Sequence, residues 1–220
     1  AFDHYKNPGK HYRPSGQESV KFRRDYSHAS RRIKFVGVWD TVGALGIPFS
    51  FFGLLEPKDE FYDTEIGPNI QIARHALAID EKRADFEPTV WQPQGGMDLM
   101  QVWFAGVHSD VGGGYQPDRK GLLSSDHALE WMMKESKAAD LTLEPHLGQD
   151  LDPKPTASLH KSRRHIFRSK PPQYRTIAHN KGKVLIHSSV KQRWDKDSKY
   201  RPKNLVEYLN RHGWPNDLVR

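Results

Sequence analysis

Apolar residues concentrate in two short runs. Ile33 to Trp39 (Ile-Lys-Phe-Val-Gly-Val-Trp) carries one charge among β-branched and aromatic side chains, and Gln101 to Val107 (Gln-Val-Trp-Phe-Ala-Gly-Val) carries none. Runs of this length and type predict strands buried on both faces, as in a parallel sheet. Between them, Asn69 to Ile79 sets Ile72, Ala76 and Ile79 at helical spacing behind a capping Asn69. That spacing predicts a helix, which Glu81 to Ala84 would extend. Leu122 to Ala139 is the clearest amphipathic helix, with Ser124 or Ser125 as its cap, and Gln17 to Tyr26 predicts a shorter one. Residues 1–16 and the Pro-rich 140–172 stretch predict loop. Beyond residue 173 the pattern weakens to short elements at Tyr174–Ala178, Val184–Trp194 and Leu205–Arg211. Residues 47–67 are apolar but broken by Pro and Gly, and Phe49, Phe51, Phe52, Leu54 and Leu55 predict a lid or pocket wall. The order strand, helix, strand, helix defines an α/β chain with a mostly parallel sheet and flanking helices.

Both strands end alike. Phe35-Val-Gly-Val-Trp-Asp40 and Phe104-Ala-Gly-Val-His108 each place Gly-Val before a titratable residue at the C-terminal end, the edge where open α/β sheets bind ligands. Glycine in a strand lets another backbone or a substrate come close. A carboxylate and an imidazole on neighbouring strand ends suit a hydrolase. The acid orients the imidazole, and the imidazole takes a proton from a nucleophile. In the α/β-hydrolase order the acid precedes the base, as Asp40 precedes His108 here. A different chemistry fits the same residues: Asp40, His108 and Asp110 as ligands of a metal-dependent phosphoesterase, provided that His75, Asp80 or His187 converge on them. A structural role, with Asp40 in a turn and His108 in a Gly-rich bend, is the third possibility, and the chain is then a non-catalytic binding module.

Composition narrows this. The 220 residues include 24 aromatics, which supply core area, and no cysteine, which excludes disulfides, thiolate metal sites and a Cys nucleophile. There is no signal-peptide pattern at the N-terminus and no apolar run near the ~20 residues of a membrane span. The compartment stays open, since a chain without cysteine suits a reducing cytosol and an exported protein equally. The net charge of +7 is uneven: residues 160–220 carry +12, and residues 1–159 carry −5. Such a basic quarter attracts anions, lipid headgroups among them. It lacks the motifs of a specific nucleic-acid reader.

Three blocks carry a resemblance: Gly37-Val-Trp-Asp-Thr-Val-Gly43, His75-Ala-Leu-Ala-Ile-Asp-Glu-Lys-Arg83 and Val102-Trp-Phe-Ala-Gly-Val-His-Ser-Asp-Val-Gly-Gly-Gly-Tyr115. Ile186-His-Ser-Ser-Val190 and Tyr200-Arg-Pro-Lys-Asn-Leu205 add to it. From about residue 17 to about 206 the chain resembles an α/β-hydrolase family, once catalogued only as a domain of unknown function, that includes the catalytic domain of the type VI secretion phospholipase effectors. The resemblance implies a Ser-Asp-His triad with Asp40 as the acid and His108 as the base, and no cofactor or metal. It also implies a Gly-Phe-Ser-Arg-Gly-type elbow and an Asp-Gly-Thr-type strand ahead of the first block. Neither occurs here, and no G-x-S-x-G is found anywhere in the sequence. The expectation is therefore a partial α/β-hydrolase fold, the C-terminal portion of such an enzyme. It would comprise a lead-in at 1–32, a sheet and helix core at 33–140, and a Pro-rich basic extension with irregular structure at 141–220. Its partner would be an upstream portion that brings the serine. Alone, the chain is expected to be inactive, and the basic extension is expected to meet a lipid or membrane surface.

Overall fold

The computed structural model describes residues 4, 7, 9–13, 15–28, 32–42, 66–163, 167, 169–177 and 183–220. Most of the apolar 47–67 segment, and with it the expected lid, lies outside the described residues.

Among the described residues, four parallel strands form one sheet in the order β1-β2-β3-β4: β1 Ile33–Trp39, β2 Ile70–Ala78, β3 Asp98–Phe104 and β4 Leu185–Ile186. Because all four run the same way, the residues that follow them gather along one edge.

The segment that the pattern assigns to a helix is β2, the most buried strand. Ala73, Ala76, Leu77 and Ala78 are fully buried, and the strand pairs on both sides, Val36 with Ala73 and Ala73 with Leu99. The spacing of Ile72, Ala76 and Ile79 is compatible with a helix, and Ala favours one by only a few tenths of a kcal/mol per residue. Burial on both faces outweighs that preference. The alanines are small because helices press close: Ala76 and Ala78 pack with Phe104, Trp131 and Met132. Arg74 points into the same layer. It is neutralised there by Glu135 (2.5 Å) and Asp98 (2.7 Å), so its charge does not expel the strand from the core.

The helices are α1 Gln17–Tyr26, α2 His108–Gly112, α3 Asp126–Ala138, α4 Ser188–Lys196 and α5 Lys203–His212. Helix α3 covers one face of the sheet through Trp131 and Met132. Gly37 answers to that helix rather than to a substrate, since a Cβ there would lie 2.5 Å from the Met132 sulfur. The expected serine cap of α3 is absent. Ser125 makes no side-chain cap bond, and residues 118–122 are turned by the Asp118 carboxylate, which accepts the Lys120 and Leu122 N–H groups.

Residues beyond 140 cover the opposite face of the sheet. Leu77, Ile79 and Trp103 pack against Ile177, Ile186, Val190, Tyr200 and Leu205. The C-terminal quarter thus supplies the fourth strand and two helices of the core. Among the described residues, its parts outside helix and strand lie before β4, between the two helices and after α5. Strand β1 is less buried than its apolar sequence predicts, because it stands at the edge of the sheet. Among the described residues, no helix is long and apolar enough to cross a membrane.

Candidate active site

Asp40 and His108 meet. His108 Nδ1 lies 2.7 Å from Asp40 Oδ2. Their strands are not neighbours, as the shared pattern suggested, because β2 runs between them. Two strand spacings, roughly 9–10 Å, separate the backbones. Two local devices close that gap. Asp40 leaves β1 at φ 47°, a left-handed conformation that Asp tolerates better than most residues, while its N–H still bonds Ala76 O. His108 is the first residue of α2, and its N–H donates to Glu81 Oε2 (3.2 Å) from the end of β2. Just before it, Gly106 has φ 119°, and a Cβ there would strike the Asp110 side chain at 2.4 Å. This position needs glycine both for its backbone and for space.

The Asp40 carboxylate is fully buried and fully engaged. Oδ1 accepts the Ala78 N–H (2.8 Å) and Arg175 Nη1 (2.6 Å), and Oδ2 accepts Arg175 Nη2 (2.9 Å) and His108 Nδ1. Burial alone pushes its pKa up. The His108 bond, the charge and bonds of Arg175 and the Ala78 N–H outweigh that and bring it to about 2. Asp40 is therefore ionised at any physiological pH. It holds the proton of His108 on Nδ1, and Nε2 becomes the basic nitrogen. The imidazole side chain is 29% exposed, leans on the edge of Phe86, and has no partner for Nε2 among the described residues. A nitrogen held this way can accept a proton from a hydroxyl brought to it.

Arg175 is the site residue that the sequence pattern does not reveal. It is buried and grips Asp40 through both guanidinium ends, and it also donates to Ala78 O and Phe86 O. Asn204 holds it in turn, donating from Nδ2 to Arg175 O and to Ile79 O. In the sequence it is one of sixteen cations in the basic quarter, and nothing in its spacing sets it apart from a surface arginine.

The other candidates do not converge on the pair. Asp110 turns its carboxylate to Val107 N–H and to the N–H and Nδ1 of His160 (2.7 Å). His75 Nε2 accepts the Thr41 N–H, which fixes the residue next to Asp40, and burial pushes its pKa down to about 4. His187 stacks on Phe104 and faces Ser189. Asp80 accepts the Gly106 N–H and the Tyr200 hydroxyl. Among the described residues, no group of three or more such side chains is placed to hold a metal ion.

Asp80 offers a direct check on this packing, since burial raises its pKa to about 6. A group whose folded pKa is raised stabilises the fold below the unfolded value and loses that contribution as pH rises through the folded one. Asp80→Asn keeps an acceptor for Gly106 and Tyr200 without the charge. It should raise the Tm at pH 7.5 by about 2–4 °C, the shift that ~1 kcal/mol produces in a chain of this size, and should leave it unchanged at pH 4. Thermal unfolding of both proteins at the two pH values measures this.

A parallel α/β sheet with a carboxylate–imidazole pair at its C-terminal edge defines a hydrolase-like α/β domain. Residues 1–135, more than half of the chain, match the family described as T6SS, phospholipase effector Tle1-like, catalytic domain. The chain belongs to that family. No curated protein matches it. Among solved structures it is similar to an uncharacterized protein from Pseudomonas aeruginosa, at 24% identity over 51% of this chain and with a TM-score of 0.35. The similarity spans 18% of that protein's length.

Proposed function

We propose that this chain supplies the acid and the base of a serine phospholipase or related carboxylic ester hydrolase, Asp40 and His108, and that the nucleophile comes from outside residues 1–220. One observation carries the proposal: the 2.7 Å bond from His108 Nδ1 to a buried, ionised Asp40, with Nε2 left open. In the reaction so assigned, His108 Nε2 takes the proton of an incoming serine as that serine attacks the ester carbonyl. The imidazolium formed is stabilised by Asp40, and it returns the proton to the leaving alcohol. A serine elbow laid beside β1 would reach the pair from the open side. Strand β1 is an edge strand, and its outer hydrogen-bonding groups have no strand partner among the described residues, which leaves room for one. The basic C-terminal quarter suits an anionic lipid surface, where each well-placed cation contributes about 1 kcal/mol.

Loss of the serine from a triad costs about 10⁶ in kcat, so the chain alone should hydrolyse neither a phospholipid nor a short-chain ester measurably. The test is an ester-hydrolysis assay of residues 1–220 alone and after joining to a serine-bearing segment of the same family. Activity only in the joined protein supports the assignment. No activity in a folded joined protein favours a non-catalytic binding module. Activity in both that disappears with a chelator favours a metal-dependent phosphoesterase.

A further inference from the structure

Part of the charge of the C-terminal quarter gathers around a pocket of about 810 Å³ whose wall includes Val107, the residue before His108. The 156–163 segment, the end of β2, the end of α4 and the 199–202 turn form its walls. Lys82, Lys161, Arg163, Arg193, Lys199 and Arg201 line it against two carboxylates, Asp80 and Asp197. Both carboxylates already serve the fold. Asp80 holds Gly106 and Tyr200, and Asp197 accepts the Lys199 N–H.

Arg193 is the informative member. It is only 7% exposed, yet no carboxylate lies within ion-pair distance of it among the described residues. Its Nη2 donates to Ala157 O, and its guanidinium sits 5.6 Å from the centre of the Tyr200 ring. The other guanidinium N–H groups have no acceptor among the described residues. Burial pulls the Arg193 pKa down, and Tyr200 and the carboxylates of Asp80, Asp197 and Asp110, none of them in direct contact with it, offset that only in part. The six cations of the pocket wall outnumber its two carboxylates, which leaves the pocket electropositive. His160 lines the same space, and it is held rigid by Asp110 (2.7 Å to Nδ1) and by stacking on Tyr115 at 3.7 Å. Thr156 and Ser162 add hydroxyls to the wall.

We propose that this pocket is a binding site for a phosphate group, with Arg193 at its base and the exposed Lys161 and Lys199 at its mouth. A planar guanidinium with ammonium groups around it matches the several oxygens and near-double charge of a phosphate. A concavity of this size suits one such group better than the long backbone of a nucleic acid. A lipid phosphodiester headgroup carries one negative charge and a free phosphate monoester nearly two, and both present anionic phosphate oxygens to these cations. The site stands on the pocket alone and does not require the Asp40–His108 pair to be catalytic.

The test uses residues 1–220 and inorganic phosphate, titrated by calorimetry at low ionic strength. Saturable binding is expected, and Lys161→Glu and Lys199→Glu should each weaken it about tenfold or more, as loss of a charge-assisted hydrogen bond does. Lys137→Glu, an equal charge change on exposed α3 outside the pocket, should leave it unaltered. Arg193→Gln should abolish binding. The two exposed lysines keep the test decisive even if that variant fails to fold. Absence of saturable binding, or equal weakening by Lys137→Glu, overturns the proposal. Co-sedimentation with phosphatidylglycerol vesicles then separates the sources. Vesicle binding that phosphate displaces and Lys161→Glu removes assigns a lipid headgroup. Phosphate binding without vesicle binding assigns a free phosphate monoester.

Discussion

Asp40→Asn is expected to lower the ester-hydrolysis rate of the joined enzyme by about 10⁴, and His108→Ala by about 10⁶, the scale of loss for these two roles in a serine triad. The reasons differ. An Asn side chain can still accept the Ala78 N–H but presents an amide N–H to His108, so the imidazole reverses its tautomer and Nε2 carries the proton. The base is then present in the wrong form. His108→Ala removes the base itself. Because Asp40→Asn also strips Arg175 of its buried counter-charge, rates must be compared on protein shown by circular dichroism to be folded. His108 is partly exposed, and its replacement disturbs the fold less, so it gives the cleaner reading. Hydrolysis that persists in either folded variant removes the assignment.

Arg175→Met should destabilise the chain by about 3–5 kcal/mol, because it leaves the Asp40 carboxylate buried beside an imidazole alone. In a chain of this size that lowers the Tm by roughly 6–20 °C. The loss should also carry a pH signature. Asp40 has a folded pKa of about 2, below its ordinary 3.8, so its stabilising contribution is complete above 3.8 and disappears as pH falls through 2. Without Arg175 the folded pKa rises and that window moves up. His75 and His187, kept neutral by burial with pKa values of about 4 and about 3, also withdraw stability as pH falls below 6.5. His187 does so in both proteins, whereas Arg175 itself helps to lower the His75 pKa, so the difference between the two urea-unfolding curves from pH 7 to pH 3 reports Asp40 together with a smaller change at His75. Arg175→Lys keeps the charge but not the two-point grip and should fall between them. Equal stability of wild type and Arg175→Met would show that the ion pair carries no weight.

These two variants also mark where the sequence was legible. Strands β1 and β3 could be found from their apolar runs, since such runs have few soluble alternatives. Asp40 and His108 could be found because each follows a run at the same relative place. Helix α1 could be found too, with the same end residues. Strand β2 could not. Its alanines are small because of α3, and nothing within nine residues records what will pack on them. Arg175 was hidden for a like reason: its two partners, Asp40 and Ala78, lie 135 and 97 residues away. The second Asp–His pair, Asp110 and His160, has the same character at a separation of 50.

The sequence by itself determined the α/β class, the two strands that Asp40 and His108 follow, and the uneven charge, because each is written in short-range pattern. Tertiary structure alone decided that β2 is a strand, that the basic quarter completes the core, and that Arg175 holds Asp40 while Arg193 lies buried in the wall of a pocket. The physical reason is that pairing, burial and charge compensation are set between distant segments. Local propensities worth tenths of a kcal/mol yield to them.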